Sequence, residues 1–311
     1  MYIIVDFNHW AYKYFYGTTQ LTSVLKLDGV DRVVDTTIAY HTIRALNRFG
    51  ENGKHFIGIC HEGGSDFRKQ YFNPKENGGT GYKDGRASIN SQMLESMQFC
   101  IDLLRKCNAV QYRQQGYEAD DLIYTVIQKI KAFDTVNSIM VITGDHDMLP
   151  LVDNQVTVLI TSKTGNRVNP VRGYFRVTPS TWNEYMAVAT KYRDYNVPYN
   201  SILLYKLVKG DDSDKIAGAV KGYGPKKYSA LMDRMIADEV DFSSIFRYGV
   251  NFDEAMKPVL SKYFDETAVE RMKFIYGGMC LREFDGDLPK PKQLSYDTVR
   301  YVCSCVDIKN V

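Results

Sequence analysis

No two cysteines in this 311-residue chain stand in a CxxC spacing, and none has the spacing from histidine that zinc sites use. The six cysteines, at 60, 100, 107, 280, 303 and 305, therefore point to reduced thiols rather than a disulfide framework or a zinc site. No leader-like segment precedes them, so the expected compartment is the cytoplasm. No apolar run approaches the roughly 18 residues of a membrane span, and no membrane partner is expected. Net charge is almost lacking too, +2 from 39 Lys and Arg against 37 Asp and Glu. Any affinity for nucleic acid must then come from a local basic patch. There is no internal repeat. What remains is an ordinary globular composition, 44% hydrophobic and 24% charged, with length for one large or two smaller domains.

Three short apolar runs read as buried strands: "YIIV" (2–5), "HFIGIC" (55–60) and "SIMVIT" (138–143). Helical patterns separate them. The clearest follows Glu118, where Ala119, Leu122, Ile123, Val126, Ile127 and Ile130 form an i, i+3, i+4 stripe. Strands alternating with helices predict an α/β fold with a mostly parallel sheet. Each strand ends in acid: Asp6 after the first, Glu62 after the second, Asp145 and Asp147 after the third. Ligand sites of open parallel sheets lie just outside the carboxyl ends of the strands. The helix after Glu118 opens with Glu118, Asp120 and Asp121 crowded together. First-turn acids complement a helix macrodipole, which is one reading. Carboxylates that converge on a cation are the other, and three acid-ended strands favour it. Hard oxygen ligands, without cysteine and with only His9, His61 and His146 nearby, suit magnesium or manganese better than zinc.

The stretch "KLVKGDDSDKIAGAVKGYGPKKY" (206–228) begins a segment with seven Lys or Arg against four Asp between 206 and 234. Asp211 and Asp214 could join the metal edge. Pro225 is well placed to open a helix. Lys226 and Lys227 in its first turn then oppose the macrodipole, a conflict that a bound phosphate relieves. A plain helix–turn–helix corner with solvated lysines is the alternative. A third cluster, "DFRKQYF" (66–72) with "GYKDGR" (81–86), places Arg68, Lys69, Lys83 and Arg86 past the second strand. Positive side chains beside a carboxylate site suit a phosphodiester. Between these segments, "NPKENGGTG" (73–81) reads as a loop.

These segments together resemble the flap endonuclease / 5′-3′ exonuclease superfamily with its PIN-like catalytic domain. The carriers, in order, are "IIVDFNH", "FRK…YKDGR", "GYEADD", "TGDHDMLPLV" and "KGDDSDKIAGAVKGYGPKKY". They span about residues 1–235, and the chain looks most like stand-alone bacteriophage members, whose compartment is the host cytoplasm. The resemblance implies a PIN-like mostly parallel sheet flanked by helices, with a C-terminal helical helix–three-turn–helix subdomain. It sets a nuclease domain at 1–190, a duplex-binding subdomain at 191–285, and a tail at 286–311 without a readable motif. It makes Asp6, Glu118, Asp120, Asp121, Asp145, Asp147, Asp211 and Asp214 the divalent-metal carboxylates, with Glu62 where relatives carry Asp. Lys83 and Arg86 become the basic pair near the scissile phosphate. Residues 206–228 become the duplex-gripping element, with a potassium ion at its turn. Arg68, Lys69, Tyr82, Lys209, Lys221, Gly222, Gly224, Lys226 and Lys227 are the expected DNA contacts. Lys215 stands where relatives carry Asn. The family's helical gateway falls in 87–117, a segment here poor in basic residues.

The function so implied is a structure-selective 5′ nuclease, with an RNA-primer or RNA–DNA hybrid substrate as an extension. Two Mg²⁺ or Mn²⁺ ions, about 3.5–4 Å apart, would leave a 5′-phosphate and a 3′-hydroxyl. Asp6 would orient metal-bound water, and Lys83 and Arg86 would clamp the phosphate. DNA with single-strand/duplex junctions is the expected partner and a monomer the expected state. A PIN-like ribonuclease and a non-catalytic junction-binding module are the alternatives.

Overall fold

A computed structural model describes residues 1–27, 30–51, 55–75, 79, 81–85, 88–161, 170–171 and 174–305. The chain runs through β1 (Tyr2–Asp6), α1 (Phe7–Gly17), β2 (Thr22–Leu27), β3 (Val30–Asp35), α2 (Thr37–Glu51) and β4 (Phe56–Cys60). It continues through α3 (Asp66–Tyr71), α4 (Ser91–Lys106), β5 (Val110–Tyr112), α5 (Ala119–Phe133) and β6 (Ile139–Thr143). Next come β7 (Val156–Thr161), β8 (Pro170–Val171), β9 (Tyr174–Val177), α6 (Trp182–Val188) and α7 (Ile202–Lys209). After these lie β10 (Gly210–Asp211), β11 (Ile216–Ala217), α8 (Pro225–Ala237) and α9 (Phe242–Ile245). The last elements are α10 (Lys257–Leu260), α11 (Glu266–Met279), β12 (Lys292–Gln293) and α12 (Tyr296–Cys305).

The molecule divides into two compact units. The first joins Met1–Gly63, Ala87–Thr143 and Glu283–Val311; the second joins Gly64–Arg86 and Gly144–Arg282.

In the first unit β1 lies between β4 and β6, parallel to both, with Ile3 opposite Ile57 and Met140. The far edge of β4 is shared: Gly58–Cys60 pair with β5 in parallel, and Phe56 and Ile57 pair with β12 antiparallel. Every residue of β1 is buried, which is why these strands read as unbroken apolar runs rather than alternating ones. Helix α5 buries the expected stripe, Leu122, Ile123, Val126, Ile127 and Ile130. Helix α4 buries Met93, Met97, Cys100, Leu103 and Leu104 and packs on α2, as a core helix does. Helix α12 packs on α2 as well, so residues beyond 283 take part in this core. The β2–β3 pair is an antiparallel hairpin.

The second unit holds an antiparallel set, β7–β9–β8, with Val158 opposite Val177 and Pro170 opposite Phe175. Beyond α6 it is helical except for the short β10–β11 bridge. Helix α7 is buried from Ile202 to Val208, the burial expected of a helix at the centre of its unit. Between α7 and α8 three residues have left-handed backbones, Gly210 (φ 85°), Lys215 (φ 60°) and Gly222 (φ 73°), and they mark the turns of that connection. The expected α/β class, with a mostly parallel sheet and a helical C-terminal part, is borne out. No helix among the described residues is long and apolar enough to cross a membrane.

Candidate active site

Each unit gathers its own set of carboxylates. In the first, Asp6 ends β1 and N-caps α1, accepting from the His9 amide at 3.2 Å. Its other oxygen accepts from the Thr143 hydroxyl, at the end of β6, at 2.7 Å. Asp6 is thereby held at 5% exposure by the ends of two neighbouring strands. Cys60 ends the third; burial first, then the charges of Asp6 and Asp120, push its thiol well up. The strand ends and the start of α5 therefore lie within electrostatic reach of one another. Glu62 Oε2 accepts from the Ala119 amide at 3.3 Å, which brings the departing acid to the first turn of α5.

The start of α5 answers the question its sequence poses. Asp121, fully buried, accepts from the Glu118 amide at 3.1 Å and closes a capping box with Glu118. The capping reading is real, and it fixes two of the crowded acids; Asp120 is the half-buried one between them. A cap engages particular oxygens and leaves the negative charge of the group intact.

In the second unit Asp145 N-caps a 3₁₀ turn, residues 146–151, accepting from the Asp147 amide at 2.9 Å. Asp147 in turn forms an ion pair with Lys206, and Lys206 Nζ also donates to Asp211 Oδ2 at 2.6 Å. Asp211 receives Lys191 Nζ at 3.2 Å and the Ser213 amide at 3.0 Å. Burial opposes ionisation of Asp211, yet Lys206 and Lys191 outweigh it and hold the carboxyl far below its ordinary range. Asp214 is pushed the other way. Its burial dominates, Lys83 offsets part of that, and the charges of Asp145 and Asp211 add to the rise. His146 is driven down to about 4, chiefly by burial, and its Nε2 lies 2.8 Å from the Tyr185 hydroxyl. It is a neutral packed side chain near neutral pH.

Lys83 belongs to this second set. Its amide donates to the Asp214 carbonyl at 2.9 Å, and its backbone is left-handed at φ 58°. Non-glycine residues held there are strained and concentrate at functional sites. The Lys83 ammonium lies over the Tyr82 ring at 4.8 Å. Tyr82 itself is 4% exposed and stacks on Phe72, so in this state it supports Lys83 instead of presenting a face to a ligand. Arg68 is likewise buried, whereas Lys69 on the same helix is exposed. Arg86 lies outside the described residues, as does part of the 73–81 loop.

At the far end of the connection, Pro225 occupies the first turn of α8, as its sequence predicts, and Gly224 precedes it without a side-chain cap. Lys221, Lys226 and Lys227 are exposed, and Lys209 lies over the Tyr195 ring at 5.6 Å. Gly222 needs its missing side chain, because its left-handed φ of 73° strains other residues.

Among the described residues no three His, Cys, Asp or Glu side chains already stand as a ready-made metal site. The donor chemistry nevertheless suits a hard divalent ion. The acids are oxygen donors, Asp214 is raised partly by its acidic neighbours, and a buried ammonium stands where Asp147 and Asp211 need positive charge. Sequence reasoning missed Lys206 and Lys191. The signal for Lys206 was present, a single lysine inside "ILLYKLV", since a charge in a wholly buried helix must meet a carboxylate.

Residues 1–178 match the family model described as 5′-3′ exonuclease, N-terminal resolvase-like domain. The chain belongs to the 5′-3′ exonuclease family. Among curated relatives of this family member, DNA polymerase I of Caldicellulosiruptor bescii is 25% identical over 262 residues, 84% of this chain and 26% of the polymerase. The chain thus spans about a quarter of the length of that relative. The 5′-3′ exonuclease of Mycoplasma pneumoniae is 25% identical over 264 residues, 82% of this chain and 77% of that protein. Among solved structures, the D15 flap endonuclease of bacteriophage T5, crystallised with DNA and metal ions, aligns with a TM-score of 0.56 at 14% identity. That alignment covers 97% of this chain and 91% of the other, and it carries the fold. The resemblance read from the motifs is borne out.

Glu62 follows β4 and meets the first turn of α5. Glu62→Gln keeps an acceptor for the Ala119 amide, so the start of α5 should survive while a negative charge is lost. If Glu62 ligates, cleavage should fall about tenfold or more and recover partly at high Mn²⁺, with Glu62→Asp remaining active. Steady-state rates across Mn²⁺ concentration test this, and a wild-type Gln variant would remove Glu62 from the site.

Proposed function

We propose that the chain is a divalent-metal-dependent 5′ nuclease that cuts DNA at single-strand/duplex junctions, leaving a 5′-phosphate and a 3′-hydroxyl. The observation that carries this reading is the second acid set. Asp147 and Asp211 pair with one buried lysine, Asp214 feels the charges of Asp145, Asp211 and that lysine, and strained Lys83 is tied to Asp214. So much negative charge is destabilising without cations, and holding them is the use inferred for it.

Glu118 and Asp120 would supply oxygen donors in the first unit, and Asp145, Asp147, Asp211 and Asp214 in the second. When bound, Mg²⁺ or Mn²⁺ supplies an activated water nucleophile and neutralises charge on the phosphodiester. Asp6, fixed between Thr143 and the His9 amide, would orient the water. Lys83 would bind the scissile phosphate, its ammonium steered by the Tyr82 ring. Uncapped α8, with exposed Lys226 and Lys227 in its first turn, would hold a backbone phosphate of the duplex. The 221–224 turn, with left-handed Gly222, would carry the monovalent ion. RNA primers extend the substrate range, and the protein acts as a monomer.

Cleavage mapping on an end-labelled flapped duplex, in chelator and after adding Mg²⁺, tests the reading. Metal-dependent cuts at the junction support it. Cleavage confined to single-stranded RNA, or none with either metal, overturns it.

Grip and chemistry should separate. Lys226→Ala with Lys227→Ala should weaken duplex binding and flatten the log–log salt dependence by about one to two units, near 0.9 per phosphate released. Single-turnover cleavage at saturating enzyme should change little. An unaltered salt slope would take the duplex contact away from α8.

A further inference from the structure

Lys206 is 0% exposed, and its ammonium pairs with two carboxylates carried on different elements, Asp147 and Asp211. Its Nζ lies 2.6 Å from Asp211 Oδ2 and is also paired with Asp147 Oδ1. Two carboxylates drawn together repel, and a buried ammonium without anions is costly. One Nζ resolves both problems. That is the electrostatic task a divalent ion performs between the same oxygens, at roughly 2.0–2.6 Å from each. An ammonium and a divalent ion cannot both take those two oxygens at such distances. Lysine suits a displaceable role, since its charge sits at the tip of a flexible four-carbon stem.

We propose that Lys206 is a positioning residue, the resident counter-cation of the metal-free protein. It holds Asp147 and Asp211 in place for metal and is displaced when a divalent ion takes their oxygens. The inference rests on the reading above, that these aspartates bind divalent metal. Metal uptake at this pair is then an exchange of cations. The metal-free site keeps its shape, and the affinity for metal is lower than the carboxylates alone would give.

The test uses the full chain, stripped with chelator, as wild type and as Lys206→Met, Lys206→Gln and Lys206→Arg. Mn²⁺ affinity is read by calorimetry and Tm is measured with and without Mn²⁺. Lys206→Met and Lys206→Gln should melt earlier than wild type in chelator. They should bind Mn²⁺ at least about tenfold more tightly, the effect of removing one competing charge at contact distance. Saturating Mn²⁺ should raise their Tm by more than it raises that of wild type. Lys206→Arg, which keeps the cation, should retain wild-type affinity, and adding Asp211→Asn to Lys206→Met should abolish the gain. If Lys206→Met is unfolded in chelator, recovery of its fold by Mn²⁺ supports the exchange. Equal Tm losses with and without Mn²⁺, or unchanged affinity in both neutral variants, would overturn it while leaving the metal reading standing. A wild type that binds no divalent ion would sink both.

Discussion

Asp145→Asn should slow single-turnover cleavage by on the order of 10³-fold while binding to a flapped duplex stays within several-fold. The structure explains why this variant separates charge from shape. Asp145 caps the turn at 146–151 by accepting from the Asp147 amide at 2.9 Å, and an asparagine oxygen accepts the same hydrogen bond. The backbone that carries Asp147 to Lys206 should therefore hold. What disappears is one negative charge from a set whose members already bias one another, Asp214 being raised in part by Asp145. The duplex contacts proposed for α8 are untouched. Gel-shift binding in Ca²⁺ and quench-flow cleavage in Mg²⁺ check the two halves. Retained turnover, or binding lost along with cleavage, would count against the role given to Asp145.

Gly63→Ala should destabilise the protein by about 2–4 kcal/mol, a Tm loss of several degrees, although it adds a single methyl group. A Cβ at Gly63 would stand 1.8 Å from the Gln114 carbonyl oxygen and 2.8 Å from that of Tyr117, both backbone atoms with nowhere to rotate. The same place is tied by two hydrogen bonds, the Gly63 amide to the Tyr117 carbonyl at 2.9 Å and the Gly116 amide to the Gly63 carbonyl at 3.1 Å. Relief requires the end of β4 to part from the 114–117 turn, breaking both bonds at about 1 kcal/mol each. Glu62, one residue earlier, would lose its register with Ala119, so activity should fall together with stability. Chemical denaturation of both proteins measures the loss, and a difference below about 0.5 kcal/mol would mean the turn can yield.

The parts legible in the sequence share a physical cause. Runs 2–5, 55–60 and 138–143 reappear as β1, β4 and β6 within a residue at each end, because strands buried in a parallel sheet are apolar throughout. The α5 stripe was equally plain, since one face of that helix meets the core. The antiparallel pairing of β2 with β3 was missed. Its strands mix charged and apolar residues without the continuous run that marked the others. Strand β12 could not be read at all, because two exposed polar residues become a strand only by pairing with β4 far back in the chain. At the acids, residue types point to a cation site, but the division of labour within them is silent in the sequence. That Glu118 and Asp121 cap α5, and that Lys206 neutralises Asp147 and Asp211, depends on packing.

The first unit is assembled from three stretches with most of the second unit's sequence lying between its second and third. Lys292 pairs opposite Ile57, and the Tyr112 hydroxyl donates to the Pro289 carbonyl at 2.7 Å across 177 positions of sequence. Biosynthesis runs from the amino end, so Gly144–Arg282 are made before the residues that close the first unit. Until then part of the outer edge of β4 has no partner, and an open strand edge invites pairing with another chain. Long-range closures of this kind are slow, and partly built intermediates are prone to aggregate. Speed of translation near residue 290, and chaperones that shield a bare strand edge, should therefore govern how much active protein a cell obtains.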